Sequence, residues 1–125
     1  AGGRETVIVL VCGGRAHSDV QYVEAVLYQE ADRAAKRNER LVVIQGGAKG
    51  ADRIARHWCK RNGQPCATWS AWWGQFGKSA GPIRNTWMLK YGRPDKVIAF
   101  PGGAGTADMV WKAERAGVPV RKVGW

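Results

Sequence analysis

The chain has few acidic residues, few cysteines and no long hydrophobic run. No apolar stretch approaches the ~20 residues that a membrane-spanning helix requires, and no secretory signal is recognisable, so we expect no membrane partner. Cys12, Cys59 and Cys66 are an odd number of cysteines and lack the CxxC spacing of metal and redox motifs. We therefore expect reduced thiols in or near the core and a cytoplasmic location. The sequence predicts no metal site and no cofactor.

The shortage of acidic residues leaves a strongly basic protein. Twenty Lys and Arg face ten Asp and Glu, which gives a formal net charge of +10 and a pI of about 10.1. This balance suits a polyanion and keeps nucleic acid open as a partner, but it bears on non-specific association more than on a specific site. With 125 residues, 45% apolar and 24% charged, we expect one soluble domain over residues 1–125. Residues 1–5 are expected to be a flexible tail or a non-native remnant.

Hydrophobic runs alternate with helical patterns along the chain. The runs predict five strands, the last of them an edge strand because it contains Pro119: Thr6–Cys12, Leu41–Gln45, Pro65–Trp69, Lys96–Phe100 and Val118–Val123. Helices are predicted between them, the first capped by Ser18 with Gln21 in a capping box. Only the segment Ser70–Ala80 shows no regular pattern. The predicted fold is a three-layer Rossmann-like α/β sandwich on a five-stranded, mainly parallel sheet of order 3-2-1-4-5, with helices on both faces.

Four glycine-rich or charged loops each begin where a hydrophobic run stops: Gly13–Arg15, Gly46–Asp52, Ala80–Asn85 and Pro101–Asp108. Carboxyl ends of parallel strands share one edge of a sheet, so these loops should meet over one crevice at the switch between the first and fourth strands. Bare backbone N–H groups, helix N-termini and arginines there suit a phosphate. The predicted ligand-binding residues are Gly13, Gly14, Arg15, Gly46, Gly47, Ala48, Lys49, Asp52, Arg84, Asn85, Pro101, Gly102, Gly103, Ala104, Gly105 and Thr106.

The loop Pro101–Asp108 is the most specific of the four. Its three glycines allow a tight turn and a close approach of an oxyanion to the main chain. It matches neither a P-loop nor the dinucleotide fingerprint, whose third glycine would stand at Asp108. In the other loops, Lys49 is placed to reach a phosphate and Arg84 to clamp one or to stabilise charge leaving a sugar. Asp52 either accepts hydrogen bonds from ribose hydroxyls or only stabilises a helix dipole.

Seven tryptophans are an unusual load for this length. Trp58, Trp87 and Trp111 fall on helix positions predicted to face the sheet. The others of interest, Trp69, Trp72 and Trp73, cluster beside the irregular segment. They suit stacking on a base, an interface with a partner, or closure of the fold, and the sequence does not choose among these.

The four loops in this order resemble the SLOG superfamily, which joins the DprA/Smf proteins to the LOG phosphoribohydrolases, and most closely its small YspA-like branch. The resemblance runs from Val7 to Val123 and includes the segment Gly81-Pro82-Ile83-Arg84-Asn85 with Met88. It implies a nucleotide-binding Rossmann-like fold with the ligand over the glycine loops. Members are thought to bind nucleotides, nucleotide sugars or NAD-derived signals, and some cleave the N-glycosidic bond of nucleoside monophosphates. Relatives often form dimers, so a homo-oligomer is left open.

The resemblance also identifies a departure from the hydrolases. Their glycine motif reads PGGxGTxxE, and its glutamate works with an arginine from an Arg-Lys-x-x-Met segment. This chain keeps Arg84 and Met88, but Met109 occupies the glutamate position and Asp108 lies one place earlier. A shift of one residue along a helix turns the side chain by about 100°, so Asp108 is expected to point elsewhere unless the helix begins differently. Asp52 offers a carboxylate from the opposite loop. The catalytic candidates are therefore Arg84, Asp108 and Asp52.

These observations predict binding of a nucleoside monophosphate, ADP-ribose, NAD or a related molecule. The alternatives are a phosphoribohydrolase acting on nucleoside 5'-monophosphates and a protein that binds single-stranded nucleic acid.

Overall fold

A computed structural model describes residues 5–16 and 18–125. The first four residues of the predicted tail, and position 17, lie outside the described part of the chain. The fifth, Glu5, already belongs to the first strand, where it pairs with Glu39 of the second.

The described residues form five strands and five helices, which alternate except between β3 and β4, where two helices follow one another. The strands are β1 (Glu5–Cys12), β2 (Glu39–Gln45), β3 (Cys66–Thr68), β4 (Lys96–Ala99) and β5 (Val120–Lys122). The helices are α1 (Val20–Lys36), α2 (Ala51–Arg61), the one-turn α3 (Trp73–Phe76), α4 (Ala80–Gly92) and α5 (Ala104–Arg115), with a 3₁₀ turn at Gly77–Ser79. None of the helices in residues 5–16 and 18–125 has both the length and the hydrophobicity that crossing a membrane demands.

The sheet has the predicted order, β3-β2-β1-β4-β5, and every pairing in it is parallel. The predicted Rossmann-like α/β fold is thereby confirmed. β1 lies at the centre because its apolar second half, Val9–Cys12, is buried on both faces. It separates β2 from β4, so the chain reverses direction of winding beside the end of β1.

Each face of the sheet carries its own core. On β1, Val9 and Val11 point into a core completed by α1 and α2, whereas Leu10 and Cys12 point into one completed by α4 and α5. This alternation is the two-residue period of a strand. Trp58 of α2 is 1% exposed and is the largest fully buried side chain. The two layers of helices hold the ends of the central strands, and hence the loops that follow them, in fixed places.

The start of α1 differs from its predicted start. Asp19, not Ser18, is the N-cap, and its carboxylate accepts a hydrogen bond from the backbone N–H of Tyr22 at 3.0 Å. A carboxylate is a stronger acceptor than a hydroxyl and also interacts favourably with the helix dipole. The predicted N-cap of α1 is therefore wrong by one residue.

The segment Ser70–Ala80 was predicted to be irregular, and this is wrong for most of it. It contains α3 and the 3₁₀ turn, and α4 begins at Ala80, ahead of Pro82. Proline is tolerated there because the first N–H groups of a helix have no intrahelical partner. The aromatic side chains explain the short helix: the rings of Trp72 and Phe76 stack, and both meet Trp87 edge-on.

Two of the three tryptophans predicted to face the sheet do not. Trp87 packs on the short helix α3, and Trp111 is 57% exposed on α5. The adjacent positions, Met88 and Val110, reach the core instead. Cys12 and Cys59 are buried as expected, whereas Cys66 lies exposed on the edge strand β3.

A buried carboxylate of α1 binds the start of β4 and the strand β5, away from the loops. Glu30, 6% exposed, accepts hydrogen bonds from Lys96 Nζ at 2.8 and 3.0 Å and from Arg121 Nη1 at 2.7 Å. Burial raises the pKa of Glu30, but the hydrogen bonds and charges of Lys96 and Arg121 outweigh this, so its pKa lies below the ordinary value. The cluster holds the start of β4 and the strand β5 against α1.

We predict that Glu30→Gln lowers the free energy of unfolding at pH 7 by about 2 kcal/mol, because two partly buried cations lose their counter-charge. Asp32→Asn is the matched control, since the pair of Asp32 with Lys36 is exposed on both sides and is worth well under ~1 kcal/mol. A carboxyl group whose pKa is lower in the folded than in the unfolded protein stabilises the fold at pH values above its unfolded pKa. This stabilisation is lost as the pH falls through its folded pKa. The difference between wild type and Glu30→Gln should therefore shrink in acid. Denaturant titrations at several pH values measure it, and a cost equal to that of Asp32→Asn would contradict the prediction.

Candidate functional site

The loops at the carboxyl edge of the sheet enclose one crevice of about 490 Å³. Small-molecule sites typically measure ~300–1,000 Å³. Its walls come from the loops after β1, β2 and β4 and from the first turns of α4 and α5, while Cys12, at the end of β1, lies at its floor. Burial, with a smaller contribution from the charge of Asp52, raises the pKa of Cys12 to about 12, so this thiol stays protonated near neutral pH.

The loops touch one another through their main chains. The N–H of Gly14 donates to the carbonyl of Pro101 at 2.9 Å, which joins the loop after β1 to the loop after β4. A Cβ on Gly14 would lie 3.0 Å from Cα of Gly102, so no larger residue fits. The loop after β2 joins them at Gly50, where φ is +83° and a Cβ would lie 2.9 Å from the carbonyl carbon of Arg15. The loops therefore converge as the sequence predicts.

Arg84 connects the fourth segment to this group. Its Nη1 donates to the carbonyl of Gly46 at 2.6 Å and to that of Trp69 at 3.3 Å, and its Nε donates to Asn85 Oδ1 at 3.0 Å. A Cβ on Gly46 would lie 2.6 Å from Cζ of Arg84, so a larger residue at that position would displace the guanidinium. The guanidinium is thus held in a fixed orientation at the crevice wall.

Asp52 is the carboxylate of the crevice. It is 5% exposed, and its Oδ2 accepts hydrogen bonds from the N–H groups of Gly46 at 3.0 Å and Ala48 at 3.4 Å. Burial raises the pKa of Asp52 to about 6, although the hydrogen bond from Ala48 and the charge of Arg84 oppose this. A carboxyl group with this pKa exists in both protonation states near neutral pH.

The first turn of α5 forms another wall of the crevice. Gly103, Ala104, Gly105 and Thr106 line the crevice. The first N–H groups of a helix lack intrahelical partners, and the N-cap Gly103 provides no side-chain cap. This helix end carries roughly half a positive charge and is suited to an anion.

Most of the predicted ligand-binding residues line the crevice: Gly13, Gly14, Arg15, Ala48, Asp52, Arg84, Asn85, Gly103, Ala104, Gly105 and Thr106. The others lie in the same loops but are not part of the crevice lining: Gly46, Gly47, Lys49, Pro101 and Gly102. Six lining residues are not among those predicted to bind the ligand: Cys12, Trp73, Lys78, Gly81, Pro82 and Met88. Trp73 and Lys78 come from the segment predicted to be irregular, and the cluster of aromatic residues there was the available signal.

Neither the residue at the hydrolases' glutamate position nor its neighbour Asp108 lines the crevice. Met109 is 1% exposed and packs in the core between the sheet and α5. The carboxylate of Asp108 accepts hydrogen bonds from Asn85 Nδ2 at 3.1 Å and Lys112 Nζ at 2.9 Å, and this residue is not part of the crevice lining. Of the three catalytic candidates, Arg84 and Asp52 line the crevice.

The charge of the lining is positive. Among the described residues that line it, Arg15, Lys78 and Arg84 are cations and Asp52 is the carboxylate. Cations exceed carboxylates here, and uncapped helix ends add to the positive potential. The arrangement is chemically suited to an anion with a polar, hydroxyl-bearing portion.

Residues 7–76 match the sequence model of a family described as "YAcAr: YspA, cpYpsA-related SLOG family". The match covers more than half of the chain, from β1 to α3. The chain is also 37% identical over 123 residues to the Gene 61 protein of Mycobacterium phage D29. That similarity covers 93% of this chain and 95% of the phage protein, including all four loops.

We predict that Asp52 makes the stability of the protein depend on pH. A carboxyl group whose folded pKa is raised from 3.8 to about 6 favours folding below pH 3.8 and loses that contribution as the pH rises through about 6. The loss is about 3 kcal/mol, because each pKa unit corresponds to about 1.36 kcal/mol. Asp52→Asn removes the titration while its amide oxygen still accepts from the loop N–H groups. Relative to wild type, this variant should gain stability between pH 4 and 7 in denaturant titrations, and a pH-independent difference would contradict the assignment.

Proposed function

Because this chain belongs to the YspA, cpYpsA-related SLOG family, we propose that its crevice binds a nucleotide or a nucleotide-derived molecule of the nucleoside monophosphate, ADP-ribose or NAD type. Membership of the family supports a nucleotide-related ligand. The observation that carries the proposal is the convergence of the loops on one crevice with Arg15, Lys78 and Arg84 in its lining.

In this proposal the phosphate lies at the first turn of α5. The backbone N–H groups of Ala104, Gly105 and Thr106 donate to its oxygens, and the loop acts as a phosphate-binding loop. Arg84 supplies the counter-charge from α4, in an orientation fixed by its bonds to the carbonyls of Gly46 and Trp69. Asp52, deep in the crevice, accepts from the ribose hydroxyls.

We expect wild-type protein to bind at least one of AMP, ADP-ribose and NAD, and Arg84→Ala to weaken that binding by roughly 10- to 150-fold. This is the range for a hydrogen bond to a charged group, about 1.5–3 kcal/mol. Arg84→Lys retains the charge without the two-pronged geometry and should recover only part of the affinity. Calorimetric titration provides the measurement.

Arg40→Ala is the matched control. Arg40 is exposed at the amino end of β2, at the opposite edge of the sheet, so its loss changes the net charge equally but leaves the crevice intact. Affinity unchanged in Arg84→Ala, equal losses in both variants, or no binding of any of the three ligands by wild type would each contradict the proposal.

Salt dependence distinguishes a nucleotide from a nucleic acid. With a net charge of +10, single-stranded DNA should bind at low salt, and log K should fall in proportion to log salt because counterions are released. A mononucleotide in the crevice replaces far fewer counterions, so its affinity should be less sensitive. Tight binding of DNA that persists at high salt would favour the nucleic-acid alternative.

One observation favours hydrolysis as a second candidate: a carboxyl group with a pKa of about 6 lies in the same crevice as a fixed arginine. In a phosphoribohydrolase, a carboxylate activates water or stabilises the sugar cation as the N-glycosidic bond breaks. Asp52 is placed to do this, in contrast to the buried Met109.

If Asp52 has this role, AMP incubated with the protein should release adenine, and Asp52→Asn should reduce the rate by at least about 100-fold while AMP still binds. Chromatography of the free base is the measurement. Asp108→Asn is the control, because Asp108 lies outside the crevice lining. Absence of adenine at high protein concentration would leave the protein as a binding module.

A further inference from the structure

Trp73 forms a wall of the crevice that the phosphate-binding loops do not provide. It is the first residue of α3, it lines the crevice, and 47% of its surface is exposed. The ring rests on the start of α4: a Cβ on Gly81 would lie 3.3 Å from its Cη2. A large flat aromatic surface therefore faces the same space as the charged groups.

A planar cation already covers this ring. The guanidinium carbon of Arg15 lies 5.3 Å from the ring centroid of Trp73, and both residues line the crevice. Arg15 belongs to the loop after β1, so this contact spans the crevice from one wall to another. The geometry is that of a cation–π pair, and it shows that the ring face accepts a flat, delocalised group.

The neighbouring tryptophan has a different environment. Trp72 is 54% exposed, but its ring stacks on Phe76 with centroids 6.2 Å apart and meets Trp87 edge-on at 5.5 Å. It is not part of the crevice lining. These contacts fix the short helix α3 and thereby the position of Trp73, whose own ring lines the crevice beneath the Arg15 guanidinium.

We propose that Trp73 is the platform on which the heterocyclic base of the bound nucleotide stacks, and that the base takes the place of the Arg15 guanidinium, which then turns to the phosphate. The inference rests on the proposed function and adds to it a recognition element for the base. Every base offers a π face, so the platform selects for nucleotides over sugar phosphates without selecting strongly among bases. Lys78, five residues further along the same segment, lines the crevice beside it.

The test compares two ligands that share a phosphorylated ribose, AMP and ribose 5-phosphate, in calorimetric titrations of wild type and variants. Wild type should bind AMP more tightly than ribose 5-phosphate. Trp73→Ala should weaken AMP binding by roughly 5- to 150-fold, the range for loss of one base–aromatic stack, and should leave the affinity for ribose 5-phosphate within about twofold of wild type. Retained ribose 5-phosphate binding also shows that the variant is folded.

Trp73→Phe and Trp72→Phe complete the set. Phenylalanine at position 73 retains a stacking face, so AMP affinity should fall less than in Trp73→Ala. AMP should quench tryptophan fluorescence in wild type and Trp72→Phe, and the quenching should be much smaller in Trp73→Phe.

The outcomes separate this inference from the proposed function. If AMP and ribose 5-phosphate bind wild type equally, or if Trp73→Ala weakens both ligands equally, the stacking platform is wrong although the crevice still binds a phosphorylated sugar. Binding of neither ligand, nor of ADP-ribose and NAD, overturns both proposals. Tighter binding of a short single-stranded oligonucleotide than of AMP, lost in Trp73→Ala, would overturn the platform as a mononucleotide element and assign the ring to a polymer.

Discussion

The hydrogen bond from the N–H of Gly14 to the carbonyl of Pro101 is the contact on which the geometry of the crevice depends. It joins the loops that leave two neighbouring strands, β1 and β4, toward opposite faces of the sheet. The main chains come this close only because neither Gly14 nor Gly102 has a side chain. From this junction, the loop after β2 packs on the backbone of Arg15, and Arg84 bonds to the carbonyl of Gly46. Glycine at these points serves packing between loops as much as access for a ligand.

The sheet and its order could be predicted from the sequence because they follow from local features. Buried parallel strands appear as continuous apolar runs, and turns appear as glycine clusters. Two errors are shifts by one residue: Asp19 displaces Ser18 as the cap of α1, and Val110 reaches the core while its neighbour Trp111 is exposed. The other errors arise where contacts distant in sequence decide. The helical character of residues 73–79 depends on the contact of Trp72 and Phe76 with Trp87 of α4, which no local pattern reveals. For the same reason, Trp73 and Lys78 could not be placed in the crevice beforehand.

The net charge of the protein does not describe the chemistry of the crevice. Many of the lysines and arginines behind the net charge of +10 are exposed on outer helix faces, as at Arg53, Arg56 and Lys60 of α2. Inside, the arginine at position 84 is fixed by two carbonyls and the carboxyl group of Asp52 is desolvated. Reorganising such groups costs little when a ligand arrives, because the protein has already ordered and dehydrated them during folding. The site is therefore defined by the rigidity of a few groups rather than by the number of positive charges.

The outermost strands, β3 and β5, contain three residues each. A strand at the margin of a sheet presents unpaired backbone donors and acceptors on which another chain can add, and long, flat margins promote aggregation. Two such short margins offer few of these groups, and Pro119 removes one donor immediately before β5. Like charges on separate molecules also repel. The molecule is thus protected against fibril-like stacking at its lateral boundaries.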